Sequence, residues 1–241
     1  PPPRRAGRPV SPDHPGRRLD RFVAVPGRRE VLRRLPQLLA GLVGCGVAFS
    51  FIIAADLGLD PWNVLHQGLA DRTGSSIGVV TVLLSFVVLL GWIPLRERVG
   101  IGTIANALII GTTIAATLRI LPEPAGLAAR WGFLAVGLAL AGPVIGAYIG
   151  ARLGPGPRDG IMTGLARRGP SIRLVRTGIE LAALAAGWAL GGSVGIGTVL
   201  FALTVGPNTQ LWLERLDLGF PPGFDPDHDP VVEPDATTSG T

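Results

Sequence analysis

The chain has 241 residues, of which 47% are hydrophobic and only 16% are charged, and its formal net charge at pH 7 is +5. All 22 basic residues are Arg, and most lie in the N-terminal part or between apolar runs, which favours a role in membrane orientation over nucleic-acid binding. The single cysteine excludes a disulfide framework within one chain.

The apolar runs predict a membrane protein. Six stretches are long enough to cross a hydrocarbon core about 30 Å thick as helices. Two shorter helices would reach only about 16–18 Å at 1.5 Å per residue, so they cannot cross. The sequence therefore predicts an all-α polytopic membrane helix bundle with two re-entrant or interfacial helices. The predicted spans are 37–56, 77–95, 100–120, 131–152, 173–190 and 196–214, and the short helices are 61–71 and 157–168.

Both ends of the chain differ from this membrane domain, which we place at 36–215. Residues 1–35 are rich in Pro, Gly and Arg, and residues 216–241 are acidic and contain several prolines. Such segments have too little apolar surface to fold, so we expect a disordered basic N-terminal tail and a disordered acidic C-terminal tail.

One segment of the chain occurs twice. Residues 56–72 and 152–168 match at seven of seventeen positions at an offset of 96, and the pentapeptide VGIGT occurs at Val99–Thr103 and Val194–Thr198. Two ordered matches at nearly one spacing predict a duplicated unit, with repeat one at 36–120 and repeat two at 131–215. A unit of this length is too long for a solenoid repeat and suits half of a two-repeat transporter.

Arginine placement predicts the orientation. The N-terminal tail and the connections after the second and fourth spans are rich in Arg, whereas the opposite connections hold few. The positive-inside rule then places both termini in the cytoplasm of a bacterial inner-membrane protein, in agreement with an even number of spans. Because each repeat contains three spans, the two copies would have inverted topology.

The short helices begin at Asp60–Pro61 and Gly156–Pro157, which suit an N-cap followed by the first helical position. Asn63 and Asp159 take equivalent third positions and could cap these ends. Alternatively, the two N-termini meet near the membrane midplane and bind a polar or anionic group. In that case, substrate would be bound by Asp60, Asn63, Arg158 and Asp159.

Glu180 lies within the fifth span, and Arg176 precedes it by four residues on the same helix face. An ionisable group in hydrocarbon costs at least about 2.5–3.5 kcal/mol on insertion scales, so such groups usually serve function. We assign Arg176 and Glu180 to coupling or gating, with a purely structural pair as the alternative. Lower-ranked candidates are His66 in the first short helix and the buried amides Asn106 and Asn208.

The tryptophans mostly fall near predicted span ends, as in an aromatic belt. They are Trp62, Trp92, Trp131, Trp188 and Trp212.

The motifs LGPGPRDGIMTGL (Leu153–Leu165) and GLDPWNVLHQGL (Gly58–Leu69), with the repeated VGIGT, resemble the YczE family of bacterial integral membrane proteins, which is related to YitT-type proteins. The resemblance covers roughly residues 36–215. It implies a membrane protein without an established substrate, and it supplies no known binding residues.

The sequence thus favours a small secondary transporter or permease for a small polar or anionic solute. Two other readings stay open: an accessory or sensory membrane subunit that docks a cytoplasmic partner, and the substrate-binding component of a larger uptake system. We expect no enzyme activity, no cofactor, no metal and no nucleic-acid partner. The partners would be the lipid bilayer and a small solute, together with a second copy or a partner subunit.

Overall fold

The computed structural model describes residues 28–97 and 99–219, and the predicted tails lie largely outside this part of the chain. The described residues form helices and connections, without a β-strand. The helices are α1 (Arg28–Ala55), α2 (Pro61–Thr73), α3 (Ile77–Leu90), α4 (Trp92–Leu95), α5 (Ile101–Ile120), α6 (Gly126–Gly150), α7 (Pro157–Ala166), α8 (Ile172–Ala189) and α9 (Ile196–Leu216).

Four helical stretches are long and apolar enough to cross a membrane: α1, α3 together with α4, α5, and α6. They correspond to the first four predicted spans. Helices α8 and α9 occupy the positions of the fifth and sixth, but they fall outside this group. In α8 the reason is charge, because Arg173, Arg176 and Glu180 all lie within its 18 residues.

Helix α1 forms the centre of the bundle. Its residues Leu38, Leu42 and Ile52 are fully buried, and the helix packs against α5 and α6. Glycines bring these backbones close together: a Cβ at Gly41 would lie 2.6 Å from the backbone N of Tyr148 in α6. Small residues at such contacts are typical of helix packing in membranes, where van der Waals contact drives association.

The duplicated motifs contact each other crosswise. The N–H of Gly102, in the first VGIGT, donates to the carbonyl of Leu153 at 2.8 Å. In the same way, the N–H of Gly197, in the second VGIGT, donates to the carbonyl of Leu57 at 2.7 Å. Each pentapeptide therefore binds the connection that precedes the other copy's short helix.

The two ends of the described chain meet at one end of the bundle. Arg34 of α1 is buried, its Nε lies 2.5 Å from Oε1 of Glu30, and its Nη1 donates to the carbonyl of Gly219 at 2.6 Å. Nearby, Arg152 donates from Nε and Nη2 to both carboxylate oxygens of Asp217, at 2.9 and 2.5 Å.

These contacts change the predicted boundary of the N-terminal tail. The sequence assigns residues up to 35 to a disordered tail, but α1 already begins at Arg28. Two of the charges in this part of the chain have specific partners, since buried Arg34 pairs with Glu30 and hydrogen bonds backbone carbonyls. Of the predicted C-terminal tail, residues 216–219 are described and Leu216 ends α9, while residues 1–27 and 220–241 lie outside the described residues.

Candidate functional site

The first half of the site is the start of α2. Asp60 is the N-cap, and its Oδ2 accepts a hydrogen bond from the backbone N–H of Asn63 at 3.3 Å. The Asn63 side-chain amide also donates to Asp60 Oδ1. Both residues are buried, so the predicted cap is present and lies inside the protein. Both oxygens of the Asp60 carboxylate accept a hydrogen bond without help from the other repeat.

A hydrogen-bonded chain continues from Asn63 into α3. His66 Nδ1 lies 3.1 Å from Asn63 Oδ1 and 3.1 Å from the hydroxyl oxygen of Thr81. Because the Thr81 hydroxyl donates to the carbonyl of Ile77 at 2.8 Å, its oxygen is left to accept from an Nδ1–H of His66. His66 is therefore a buried link between the two helices and not an exposed interfacial residue.

The second half of the site is the start of α7, which differs in its chemistry. Its N-cap is Gly156, and no side chain caps it. Asp159 accepts a hydrogen bond from the Tyr148 hydroxyl of α6 at 3.1 Å. A Cβ at Gly156 would lie 2.9 Å from Asp159 Oδ2 and 3.2 Å from Asn106 Nδ2, which explains why this cap has no side chain.

The two halves meet at Arg158. Its Nη1 lies 3.9 Å from Oδ2 of Asp60, so the second residue of α7 faces the cap of α2. Its Cζ also lies 5.1 Å from the centroid of the Trp62 ring, a distance typical of a cation–π contact. The structure thus brings Arg158 close to Asp60 and Asn63, with Asp159 following Arg158 in α7, and the binding of substrate by these four residues stays a prediction.

Arg158 and Trp62 have unused donor groups. At 3.9 Å the ion pair with Asp60 is too long for a hydrogen bond, and no other ion pair of Arg158 occurs within residues 28–97 and 99–219. The Trp62 indole nitrogen is buried, and it too has no hydrogen-bond partner in the described part of the chain. The Trp62 indole N–H is thus a buried donor without an acceptor, which is costly, and the partly exposed Arg158 guanidinium lies beside it, so one acceptor from elsewhere would serve both donors.

The other predicted residues divide between this site and helix packing. Arg176 and Glu180 form the predicted pair, with Nε and Oε1 3.0 Å apart, and both side chains are partly exposed. Helix α8, which carries this pair, packs against α7. Asn106 lies beside Gly156, as described above. Asn208 lies apart, where its amide donates to the carbonyl of Leu138 at 3.1 Å and joins α9 to α6.

Sequence reasoning did not identify Thr81, Tyr148 and Trp62 as parts of this site. The prediction of an aromatic belt is also wrong for Trp92, which is buried and donates to the carbonyl of Pro157 at 2.8 Å. A Trp close to a span end is the only signal that the sequence offers for Trp62 and Trp92, and it does not distinguish a membrane interface from a contact with α7.

Two surface grooves lie away from this site and are lined almost wholly by apolar atoms. One runs between α3 and α5 beside Gly78 and Gly111, and the other lies along α8 beside Leu184 and Trp188. Neither includes a charged residue, so neither offers polar recognition.

Comparison with known proteins identifies relatives and a family for this chain. A family model described as "Family of unknown function (DUF6198)" matches residues 32–214. An uncharacterised protein of Haemophilus influenzae is 40% identical over 177 residues, which is 73% of this chain and 81% of that protein. The uncharacterised membrane protein YczE of Bacillus subtilis is 31% identical over 183 residues, 74% of this chain and 85% of YczE. No solved structure matches the chain. With its apolar helices, the chain is an integral membrane protein that is similar to YczE over most of its length, and it belongs to the family of unknown function DUF6198.

Proposed function

We propose that the protein is a small secondary transporter or permease of the bacterial inner membrane that moves a small polar or anionic solute. The observation that carries this proposal is the approach of Arg158 at the start of α7 to buried Asp60 at the start of α2. Charged groups inside a membrane domain are costly, and they usually mark a pathway for substrate or ions.

The proposal includes six spans arranged as two inverted repeats, with α8 and α9 completing the set and both termini in the cytoplasm. The crosswise bonds from Gly102 to Leu153 and from Gly197 to Leu57 support it, because their partners are related by the offset seen in the sequence. Discontinuous short helices whose N-termini point at a central site are a recurrent feature of inverted-repeat transporters.

The two halves of the site would have different tasks. Asp60 is fixed by Asn63, which is itself linked through His66 to Thr81 in α3, so the α2 side is rigid. Arg158 has no such anchor, and its side chain is 27% exposed. A solute that binds Arg158 would weaken its attraction to Asp60, and α2 and α7 could then separate toward one side of the membrane.

Arg176 and Glu180 fit a coupling or gating role in this scheme. Helix α8 packs against α7, so a movement of α7 would reach this pair directly. The pair is also partly exposed, which leaves it free to rearrange when α7 moves. Their contribution would be to the rate of the cycle more than to the affinity for solute.

The test is solid-supported-membrane current in proteoliposomes that contain the full-length protein, recorded across a panel of organic anions. We expect a current with at least one anion, and we expect Arg158→Ala and Glu180→Gln to reduce it strongly. The matched controls are Arg119→Ala and Glu123→Gln, which alter exposed residues at the far end of α5 and in the loop after it.

A current that persists unchanged in both site variants would contradict the assignment of the site. Absence of current and of uptake with every anion and every neutral polar solute in the panel would contradict transport itself. Thermal unfolding of each variant in detergent shows whether a loss of current reflects a loss of folding.

A further inference from the structure

Two hydrogen-bond donors between α2 and α7, Arg158 and Trp62, lack a strong acceptor. They indicate the chemical class of the ligand more narrowly than a small polar or anionic solute. Arg158 carries five N–H groups in a planar fork, and Trp62 carries one indole N–H. The Arg158 Cζ lies 5.1 Å from the Trp62 ring centroid, so both donors are within reach of one small molecule. Neither has a hydrogen-bond acceptor among the described residues that would compete strongly for it.

The acceptors in the same place are already in use. Both Asp60 oxygens accept from Asn63, one from its backbone N–H and one from its side chain. Asp159 accepts from Tyr148 at 3.1 Å and lies against Gly156. Each of these carboxylate oxygens can accept a second hydrogen bond, whereas the Arg158 and Trp62 donors favour a ligand that carries acceptor groups, such as an anion.

The charged residues nearby restrict how much negative charge a bound anion can carry. Asp60 Oδ2 lies 3.9 Å from Arg158 Nη1, and Asp159 follows Arg158 in the chain, so every negative charge on a ligand meets repulsion from nearby carboxylates. A dianion would place two more negative charges beside two carboxylates in a site of low dielectric constant, where like charges repel strongly. A carboxylate with one negative charge also matches the guanidinium fork in shape, because it can accept two parallel hydrogen bonds.

We infer that this site binds a small monocarboxylate, which accepts hydrogen bonds from the Arg158 guanidinium and from the Trp62 indole N–H. The inference rests on the proposed function for its biological meaning, but it concerns equilibrium binding and can be tested without transport. It assigns Trp62 as a binding residue, which nothing in the sequence pattern indicates.

The experiment uses the full-length protein purified in detergent. Acetate and benzoate are the monocarboxylate probes, sulfate is the dianion, and tetramethylammonium and glycerol are the cationic and neutral probes, all at matched ionic strength. Binding is measured as ligand-dependent stabilisation against thermal unfolding and as a change in tryptophan fluorescence. We expect at least one monocarboxylate to bind at a saturable site, and the other three probes not to bind.

Two variants test the donors. Trp62→Phe keeps an aromatic ring beside Arg158 but removes the N–H, and we expect about tenfold weaker binding, as for the loss of one hydrogen bond to a charged group. Arg158→Lys keeps the charge but removes the fork, and it should weaken binding at least as much. Trp131→Phe, which alters a partly exposed residue in α6, is the matched control and should leave the affinity unchanged.

Binding of tetramethylammonium or glycerol in preference to the carboxylates would overturn the inference and leave transport of another solute standing. Equal carboxylate affinity in Trp62→Phe, Arg158→Lys and the unaltered protein would also overturn it. A third outcome is that both site variants weaken carboxylate binding but the protein shows no flux of any solute. This result would support the inference and overturn the proposed function. If Trp62→Phe fails to fold, Arg158→Lys decides between these outcomes.

Discussion

At the scale of single residues, Gly160 shows how α7 is held in place. The ring of Trp92 occupies the space where a Cβ at Gly160 would stand, and the indole N–H donates to the carbonyl of Pro157 one turn earlier. Trp92 is 1% exposed, so it has no room to move away. The position of Arg158, which lies between these two contacts, therefore depends on the absence of a side chain at Gly160.

Gly160→Ala should lower the thermal unfolding midpoint of the purified protein, because overpacking of a filled site costs about 1–3 kcal/mol. Differential scanning fluorimetry in detergent measures the effect. Gly178→Ala is the control, since a Cβ at Gly178 in α8 meets no atom within 4 Å. Equal midpoints for the two variants would show that Trp92 does not hold α7 in this way.

The contacts of Asp217, at the end of the bundle where the described termini meet, predict that the stability of the protein depends on pH. Two hydrogen bonds from Arg152 hold the pKa of this carboxyl below its ordinary value, and a bond from the Gly219 N–H adds to the effect. A lowered pKa in the folded protein means that Asp217 contributes stability above the unfolded-state pKa. That contribution is lost as the pH falls through the folded-state pKa.

We therefore expect the unfolding midpoint of the unaltered protein to fall between pH 6 and pH 3 (a range of roughly three units around the ordinary carboxyl pKa) more steeply than that of Asp217→Asn. Glu214→Gln, which removes a neighbouring exposed carboxylate with no described partner, should follow the unaltered protein. Parallel curves for Asp217→Asn and the unaltered protein would mean that the Arg152 contact does not stabilise the fold.

At the scale of elements, the starts of the short helices could be predicted, but their surroundings could not. The sequence indicates helix starts at Asp60–Pro61 and Gly156–Pro157, because an N-cap residue and a proline each require a particular local backbone conformation. Thr81 and Tyr148 gave no such signal, since a single polar residue in an apolar helix has no periodic pattern. The hydrogen-bond partner of such a residue depends on which face of its helix packs against the short helix. That packing is set by the tertiary structure and not by the local sequence.

The duplicated VGIGT motif illustrates the same limit. Its glycines could be expected to permit close packing, and Gly102 does lie against the backbone of Leu153. The partner, however, is the connection before the other copy's short helix, which no local rule identifies. The Thr103 hydroxyl strengthens this contact by donating to the carbonyl of Pro155 at 2.7 Å and accepting from the N–H of Gly100 at 3.2 Å.

Thr103→Val should therefore destabilise the protein by about 1–3 kcal/mol, because it leaves buried backbone groups without a partner. Thr112→Val is a matched control in the same helix, since the Thr112 hydroxyl is exposed and bonds only to carbonyls of its own preceding turn. Chemical or thermal unfolding of both variants in one detergent compares them. Equal loss in the two variants would contradict a specific role for the contact with the second repeat.

At the scale of the whole molecule, the contact between Arg34 and the carbonyl of Gly219 places the two described ends on one side of the bundle. That arrangement agrees with the even number of crossings that the sequence predicts. Helices α8 and α9 do not share the apolar composition of the four candidate spans, because α8 carries three charged residues and α9 contains Asn208 and Gln210. Charged and polar residues that serve a site weaken the very hydropathy signal by which a span is recognised.

Cysteine labelling tests the proposed topology directly. Glu123→Cys lies in the loop between α5 and α6, and Pro170→Cys lies between α7 and α8. The native Cys45 is buried, so it should contribute little background. A membrane-impermeant maleimide should label Glu123→Cys on intact cells, and it should label Pro170→Cys only after permeabilisation. Labelling of both variants from outside would contradict the inverted arrangement.

The crosswise contacts also bear on how such a chain is made. The carbonyl of Leu57 receives its hydrogen bond from Gly197, which leaves the ribosome only after most of the chain has been synthesised. Until then the connection before α2 lacks the partner that the finished protein gives it, and unpaired backbone groups are poorly tolerated in lipid. The first repeat therefore completes its own connections only when the second repeat has been made and has packed against it.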